Sequence, residues 1–271
     1  MAKLKRNEEN ICKKVGARQL LLQTKKGGVG KATTTFNLGV VLAKQGKKVL
    51  IVDVDPQSNL TTYAGWYNND EKIKIKENIL HHKENIDLIP SSLNLSALEN
   101  ALAYAMSREY TLRNFLSVVK NDYDYILLDC QPSLGMLTIN ALVSADSILI
   151  PVQSEYFALR GMTDLFKIIN KVRRQINPTL KIDGAFITLV DKRTNLSREI
   201  AKQISDNYGS ILKLYDTKIP RAVKTAESTS SGGSIFSYDK SGVVAEAYSS
   251  LSKEVLDDGK RFIKNATTKV R

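Results

Sequence analysis

Residues 25–35 read KKGGVGKATTT and follow directly on an apolar run, QLLLQT at 19–24. Glycines between a strand and a helix let backbone N–H groups approach phosphate oxygens, and the helix N-terminus adds partial positive charge. On this reading Gly27, Gly28, Val29 and Gly30 form a phosphate cradle, and Lys31 supplies a point charge for the outer phosphates of a nucleotide. Ala32 and Thr33 complete the nucleotide-binding stretch. The usual pattern, G-x-x-x-x-G-K-[ST], fails at both ends: position one is Lys25 and position eight is Ala32. The second failure removes a hydroxyl that is normally a direct magnesium ligand. Thr33 and Thr34 do not simply replace it, because one step along a helix rotates a side chain by about 100°. Water can take the vacant place, since magnesium tolerates water ligands. Nucleotide binding is expected to survive and hydrolysis to be weakened or lost.

Carboxylates stand at the ends of two further apolar runs. Asp53 and Asp55 lie in VDVDPQSN (52–59), and Asp129 closes YDYILLDC (123–130). A parallel sheet presents the C-terminal ends of its strands to a ligand, so these acids fall near the phosphates. Asp129 has the setting of an acid that orients magnesium through water. A blander reading of Asp55 is a turn cap before Pro56. Cys130 reads as a small buried residue.

These groups need a scaffold. The apolar runs at 19–24 and 47–55 flank a helix pattern at 31–45 that stops at Gly46. Strand, loop, helix and strand within about 35 residues make a βαβ unit with a right-handed crossover. Further strands are expected at 86–90, 123–130, 146–153, 183–191 and, as an edge, 212–220. Helices are expected at 93–106, 109–120, 135–144, 158–176 and 243–265, and 225–242 reads as a polar loop. The pattern predicts one α/β domain over 18–265, with a doubly wound, mostly parallel sheet and helices on both faces. A basic tail at 1–17 and a short tail at 266–271 flank it.

The 271 residues carry 40 basic and 28 acidic side chains, a net charge of +12. That excess favours polyanions, whose condensed counterions are released on binding, although net charge alone says nothing of fold. No stretch approaches the roughly 20 apolar residues that span a bilayer, and the N-terminus lacks the apolar run of a secretory signal. Cys12 and Cys130 fit neither a metal motif nor a disulfide framework. A cytoplasmic location is the expectation.

Lys26-Gly27-Gly28-Val29-Gly30-Lys31 resembles the deviant phosphate loop of the ParA/MinD family of ATPases. VDVDPQSN resembles that family's D-x-D-P-Q-G-N, with Ser58 for glycine, and DCQPSLG (129–135) its D-C-P-P-S, with Gln131 for one proline. PVQSEYFALRGM (151–162), DKRTNLS (191–197) and IPRAVKTAES (219–228) resemble the chromosome- and plasmid-partition branch, with Lys224 where that branch has a second arginine. The likeness runs from about residue 18 to 256. It implies a P-loop NTPase fold, ATP and Mg2+ as cofactors, and a homodimer that closes on ATP. Lys26 would reach the phosphates of the other subunit and act with Lys31. Asp53 would sit near the magnesium shell, Asp55 would position or activate the attacking water, and Pro220 and Arg221 would border the adenine.

The same branch binds double-stranded DNA without sequence preference. The resemblance puts Arg193 and Lys224 on the DNA, and proximity in sequence adds Arg198, Lys218 and Arg221. No helix-turn-helix precedes the first strand, where about 18 residues are too few for a three-helix reader. The expectation is a nucleoid-associated DNA-partition ATPase whose hydrolysis is stimulated by a ParB-like centromere-binding protein. Two alternatives stand beside it. Ala32 suggests a non-hydrolysing protein that uses ATP as a dimer clamp. A membrane-positioning switch of the MinD kind needs an amphipathic C-terminal helix, and here the tail offers only Phe262, Ile263 and Val270 as sizeable apolar groups.

Overall fold

The computed structural model describes residues 17–66, 79–155, 158–191 and 193–268. Of the expected tails 1–17 and 266–271, residues 1–16, with Cys12, and 269–271, with Val270, lie outside the described residues, as do Tyr156, Phe157 and Lys192 and the side chains of Phe262 and Ile263, and the last helix continues through 266–268. The chain opens with β1 (Arg18–Leu22), α1 (Lys31–Lys44), β2 (Val49–Val54) and α2 (Asn59–Tyr63). Next come β3 (Leu80–His82), β4 (Ile86–Ile89), α3 (Asn94–Leu102), α4 (Thr111–Ser117) and β5 (Tyr125–Cys130). Then follow α5 (Met136–Ser144), β6 (Ser147–Gln153), α6 (Ala158–Gln175), β7 (Lys181–Val190) and α7 (Leu196–Tyr208). The last are β8 (Leu214–Pro220), α8 (Val223–Ser230), α9 (Ile235–Tyr238) and α10 (Val243–Thr268).

Among the described residues the strands form one eight-stranded sheet in the order β3-β4-β2-β5-β1-β6-β7-β8. Neighbours pair in parallel except β3 with β4. Central strands are buried along their whole length, as a parallel sheet covered by helices on both faces requires. Alternate residues divide between two cores. Leu21, Leu50, Val52, Ile126 and Leu128 pack with residues of α5 and α6. Leu20, Val49, Ile51 and Leu127 pack with residues of α1 and α10. Each fully buried leucine contributes roughly 1.5–3 kcal/mol relative to exposure.

Strand order and register build the site. From β1 the chain crosses to one side to reach β2, and from β5 it crosses to the other to reach β6. This reversal opens a crevice at the C-terminal end of β1. Leu22, the last residue of β1, pairs with Asp129 of β5, which pairs in turn with Asp53 of β2. The glycine loop therefore leaves the sheet level with both carboxylates.

The stretch 225–242, read as loop, instead holds most of α8 and all of α9. Its serines and threonines hide the helices: Ser228 is fully buried in α8, and Gly232 turns the chain with φ 62°. Ser234 then caps α9 by accepting from Phe236 N and Ser237 N. Sequence pattern also missed α2, α7 and β3. Two of these are very short, and α7 carries its apolar residues on a single face, with Ile200 and Ile204 buried.

Candidate functional site

Gly28 and Gly30 adopt φ 71° and 81°, and Gly30 caps α1. Side chains with a Cβ rarely adopt this left-handed region. A Cβ at either position would meet no atom within 4 Å, so the loop leaves open space where phosphate oxygens would lie. The cradle is braced from its neighbours. Thr188 Oγ1 at the end of β7 donates to Val29 O at 2.9 Å. Gln23 Nε2 reaches Gln131 O and Thr138 Oγ1, both at 3.2 Å, tying the loop's entry to the turn after β5. Lys31 is buried, and its Nζ lies 3.5 Å from Lys26 O. Burial lowers its pKa, while the charges of Asp129 and Asp55 oppose that shift.

Asp53 is held on both oxygens. Its Oδ1 accepts from Asp55 N at 3.1 Å, and its Oδ2 accepts from Thr61 N at 2.9 Å and Thr61 Oγ1 at 2.7 Å. Burial nevertheless raises its pKa to about 6, against the hydrogen bonds from Thr61, with the charge of Asp55 adding to the rise. Asp129 is raised well above the ordinary range by burial and then by the charge of Asp53, and its Oδ1 is buried without a hydrogen-bond partner. Two crowded carboxylates with an orphaned oxygen suit a divalent cation. Among the described residues no group of three or more His, Cys, Asp or Glu side chains converges to cage a metal. That fits magnesium, which takes phosphate oxygens and water beside one or two carboxylates. Asp55 Oδ1 accepts from Gln57 N at 2.9 Å, so Asp55 caps its turn and also faces the cavity.

Residues 28–33 form part of the wall of a cavity of about 600 Å³, which Asp55, Asp129, Pro220 and Arg221 also line. Lys26 and Gly27 are not on that wall. The Lys26 ammonium pairs with Glu155 of its own chain. Asp53 borders a second cavity of about 430 Å³ instead. The hydroxyls of Thr34 and Thr35 are engaged elsewhere: Thr34 Oγ1 lies 3.3 Å from Tyr248 OH, and Thr35 Oγ1 donates to Lys31 O at 3.0 Å. Thr188, Leu189, Thr225 and Tyr248 also line the cavity and were missed in sequence. Leu189 has φ 53°, a strained backbone of the kind that clusters at functional sites, and no sequence signal announces it.

Pairing of Val190 with Pro220 brings the loops after β7 and β8 together. Arg193, Arg221 and Lys224 are exposed on these loops and the start of α8, and Arg198 and Lys218 are exposed nearby. Arg193 forks onto Asp191, with Nε to Oδ1 at 3.0 Å and Nη2 to Oδ2 at 2.6 Å. Those hydrogen bonds hold the Asp191 carboxyl down at about 2. Lys224 Nζ lies 3.0 Å from Asp239 Oδ2.

A family model described as an AAA domain matches residues 17–182. The chain is 40% identical over 251 residues to the sporulation initiation inhibitor protein Soj of Bacillus subtilis, covering 89% of this chain and 98% of that protein. The chain belongs to the ParA/Soj family. Another ParA/Soj relative, the chromosome partitioning protein ParA of Caulobacter vibrioides, is 37% identical over 252 residues, with 88% and 94% covered. Cobyrinic acid a,c-diamide synthase of Mycobacterium smegmatis, solved with bound ADP and magnesium, superposes with a TM-score of 0.78 at 31% identity, covering 90% of this chain and 96% of that one. A plasmid partition protein of Borrelia burgdorferi shares the fold, with a TM-score of 0.71 at 22% identity over 90% and 99% of the two chains.

The raised pKa of Asp53 has a definite sign. A carboxyl whose folded pKa exceeds its unfolded value stabilises the fold fully below the unfolded pKa, and that contribution is lost as pH rises through about 6. A carbon-detected NMR titration of Asp53 in the nucleotide-free protein is expected to show a midpoint near 6. Added magnesium and nucleotide should lower it. A midpoint near the ordinary value of about 4 would contradict the crowded carboxylate pair.

Proposed function

We propose that this chain is an ATP-dependent DNA-partition switch. Residues 27–33 hold the triphosphate, Lys31 neutralises its outer oxygens, and Pro220 and Arg221 border the base. Asp129 would hold magnesium through water, with Asp53 close to the metal's shell, and the metal would supply positive charge against that building on the phosphate oxygens. Lys26 leaves Glu155 and reaches the phosphates held by a second copy, closing a homodimer. Asp55 positions a water for attack on the γ-phosphorus and takes up its proton; the bond to the bridging oxygen breaks, its electron pair leaves with ADP, and inorganic phosphate is the other product.

In the ATP state Arg193, Lys224 and Arg221 lie along the phosphates of double-stranded DNA without reading its sequence, placing the protein at the nucleoid in the cytoplasm. A ParB-like centromere-binding partner speeds hydrolysis and so releases the DNA. The observation that carries this reading is one cavity lined both by the glycine loop and by the Arg221 loop with α8. Nucleotide and DNA candidates thus share structural elements. In support of a nucleotide role, the Mycobacterium smegmatis neighbour holds ADP and magnesium.

One observation favours a second reading, a clamp that binds ATP and does not hydrolyse it. Ala32 offers magnesium no oxygen, and the hydroxyls of Thr34 and Thr35 are engaged elsewhere.

Two measurements test these readings. Gel shifts on unrelated duplexes should show retention with ATP and little with ADP or no nucleotide. Arg193→Ala should weaken retention and flatten the slope of log affinity against log salt by about 0.9. Equal retention in all nucleotide states would contradict the switch. In the second, Ala32→Thr should raise magnesium-dependent phosphate release by roughly tenfold, equivalent to about 1.4 kcal/mol of transition-state stabilisation. Equal turnover by both forms would refute the metal argument. Absent turnover in the native sequence, with ATP-dependent retention intact, would select the clamp.

A further inference from the structure

Behind the nucleotide cavity runs a buried chain of hydrogen bonds. Asn37 of α1 is fully buried, and its Nδ2 donates to Thr33 O at 2.8 Å and to Tyr63 OH at 2.9 Å. Asn37 Oδ1 accepts from Ile235 N, the first residue of α9, at 2.8 Å. The Tyr63 hydroxyl lies 3.3 Å from Ser228 Oγ. Ser228 itself donates to Thr225 O at 2.9 Å, so Tyr63 is the donor in that pair. The chain thus has one direction: Asn37 to Tyr63, Tyr63 to Ser228, Ser228 to the carbonyl of Thr225, the residue after Lys224.

Each end reports on the nucleotide cavity. Thr33 lines it beside the cradle, and Thr225 and Thr229 line it from α8. Tyr63 ends α2, which follows the Asp55 turn and is tied to Asp53 through Thr61. A buried polar group that loses its partner is costly. The three helices therefore shift together or break the chain at a definite bond. Close backbone packing reinforces the link: a Cβ added at Gly232, just past α8, would stand 3.0 Å from the Cα of Gly65, just past α2.

We propose that Tyr63 is a positioning residue, whose hydroxyl transmits the state of the phosphate loop and the Asp55 turn to the helix that carries Lys224. This inference rests on the DNA-partition reading and assigns the path by which ATP would set DNA affinity. Tyr63 is buried and does not line the nucleotide cavity. Its ring packs against Phe36 at 4.7 Å between centroids, tilted by 56°, so phenylalanine keeps the packing and removes only the hydroxyl.

The test uses the full chain with Tyr63→Phe, Ser228→Ala and the double variant. ATP affinity is measured by calorimetry, and affinity for a duplex is measured in ATP and in ADP. ATP affinity should stay within about twofold, while the ATP-to-ADP ratio of duplex affinities should fall by about fivefold or more, the worth of one hydrogen bond. The double variant should fall no further than either single one. A merely structural role would lower the melting temperature or ATP affinity and leave the ratio alone. An unchanged ratio, or a loss of ATP binding in both single variants, would overturn the proposal. Should Tyr63→Phe fail to fold, Ser228→Ala decides alone. A native chain whose DNA affinity ignores the nucleotide would sink the DNA-partition reading, and this path with it.

Discussion

Two buried carboxylates in register at the middle of a parallel sheet set the terms for the whole site. Asp53 and Asp129 stand side by side on β2 and β5, both almost completely buried. Like charges so placed resist ionisation, and the buried ammonium of Lys31 compensates them only in part. The fold accepts this cost because sheet register fixes the pair level with the glycine loop. Thr61, Gln23, Thr138 and Thr188 then hold the surrounding backbone by hydrogen bonds. Asp129 is left with an oxygen that no protein group satisfies. A cation carrying its own water and phosphate ligands supplies what the protein withholds.

The cations around the site divide by burial. Lys31 is buried and held close to the carboxylates, whereas Lys26 is half exposed and pairs with the exposed Glu155. An ion pair in that setting is screened by solvent and weak, so it gives way readily to a stronger anion. Arg193 and Lys224 follow the same pattern, each resting on a nearby exposed or half-exposed carboxylate. Polyphosphates, from a nucleotide or from DNA, are the ligands for which such weakly held cations are suited.

Much of this arrangement was legible in the residues. Strongly apolar runs ending in aspartate marked β2 and β5, because a strand buried on both faces has almost no other composition available. The glycine spacing marked the turn at 27–31, where Gly28 and Gly30 take left-handed dihedrals that cost a glycine little. The part of the cavity formed by α8 was harder to read. Residues 225–230 are polar yet helical, because Ser228 finds its partners in tertiary structure, and local composition carries no trace of that. Thr188 and Leu189 lie in an ordinary apolar strand. Their importance comes from a neighbouring loop 159 residues away in sequence. Asp53 was read as lying near the magnesium shell; that both its oxygens also accept hydrogen bonds, from Asp55 N and from Thr61, is a detail that strand periodicity does not encode.

The central claim is that the glycine loop and the buried carboxylate pair together hold a magnesium–triphosphate complex despite Ala32. Calorimetric titration of the native chain with ATP, in magnesium and then in excess EDTA, tests it most directly. Saturable binding at one site per chain, tightened several-fold by magnesium, is the result the account predicts. Absence of binding, or an affinity indifferent to the metal, would contradict it.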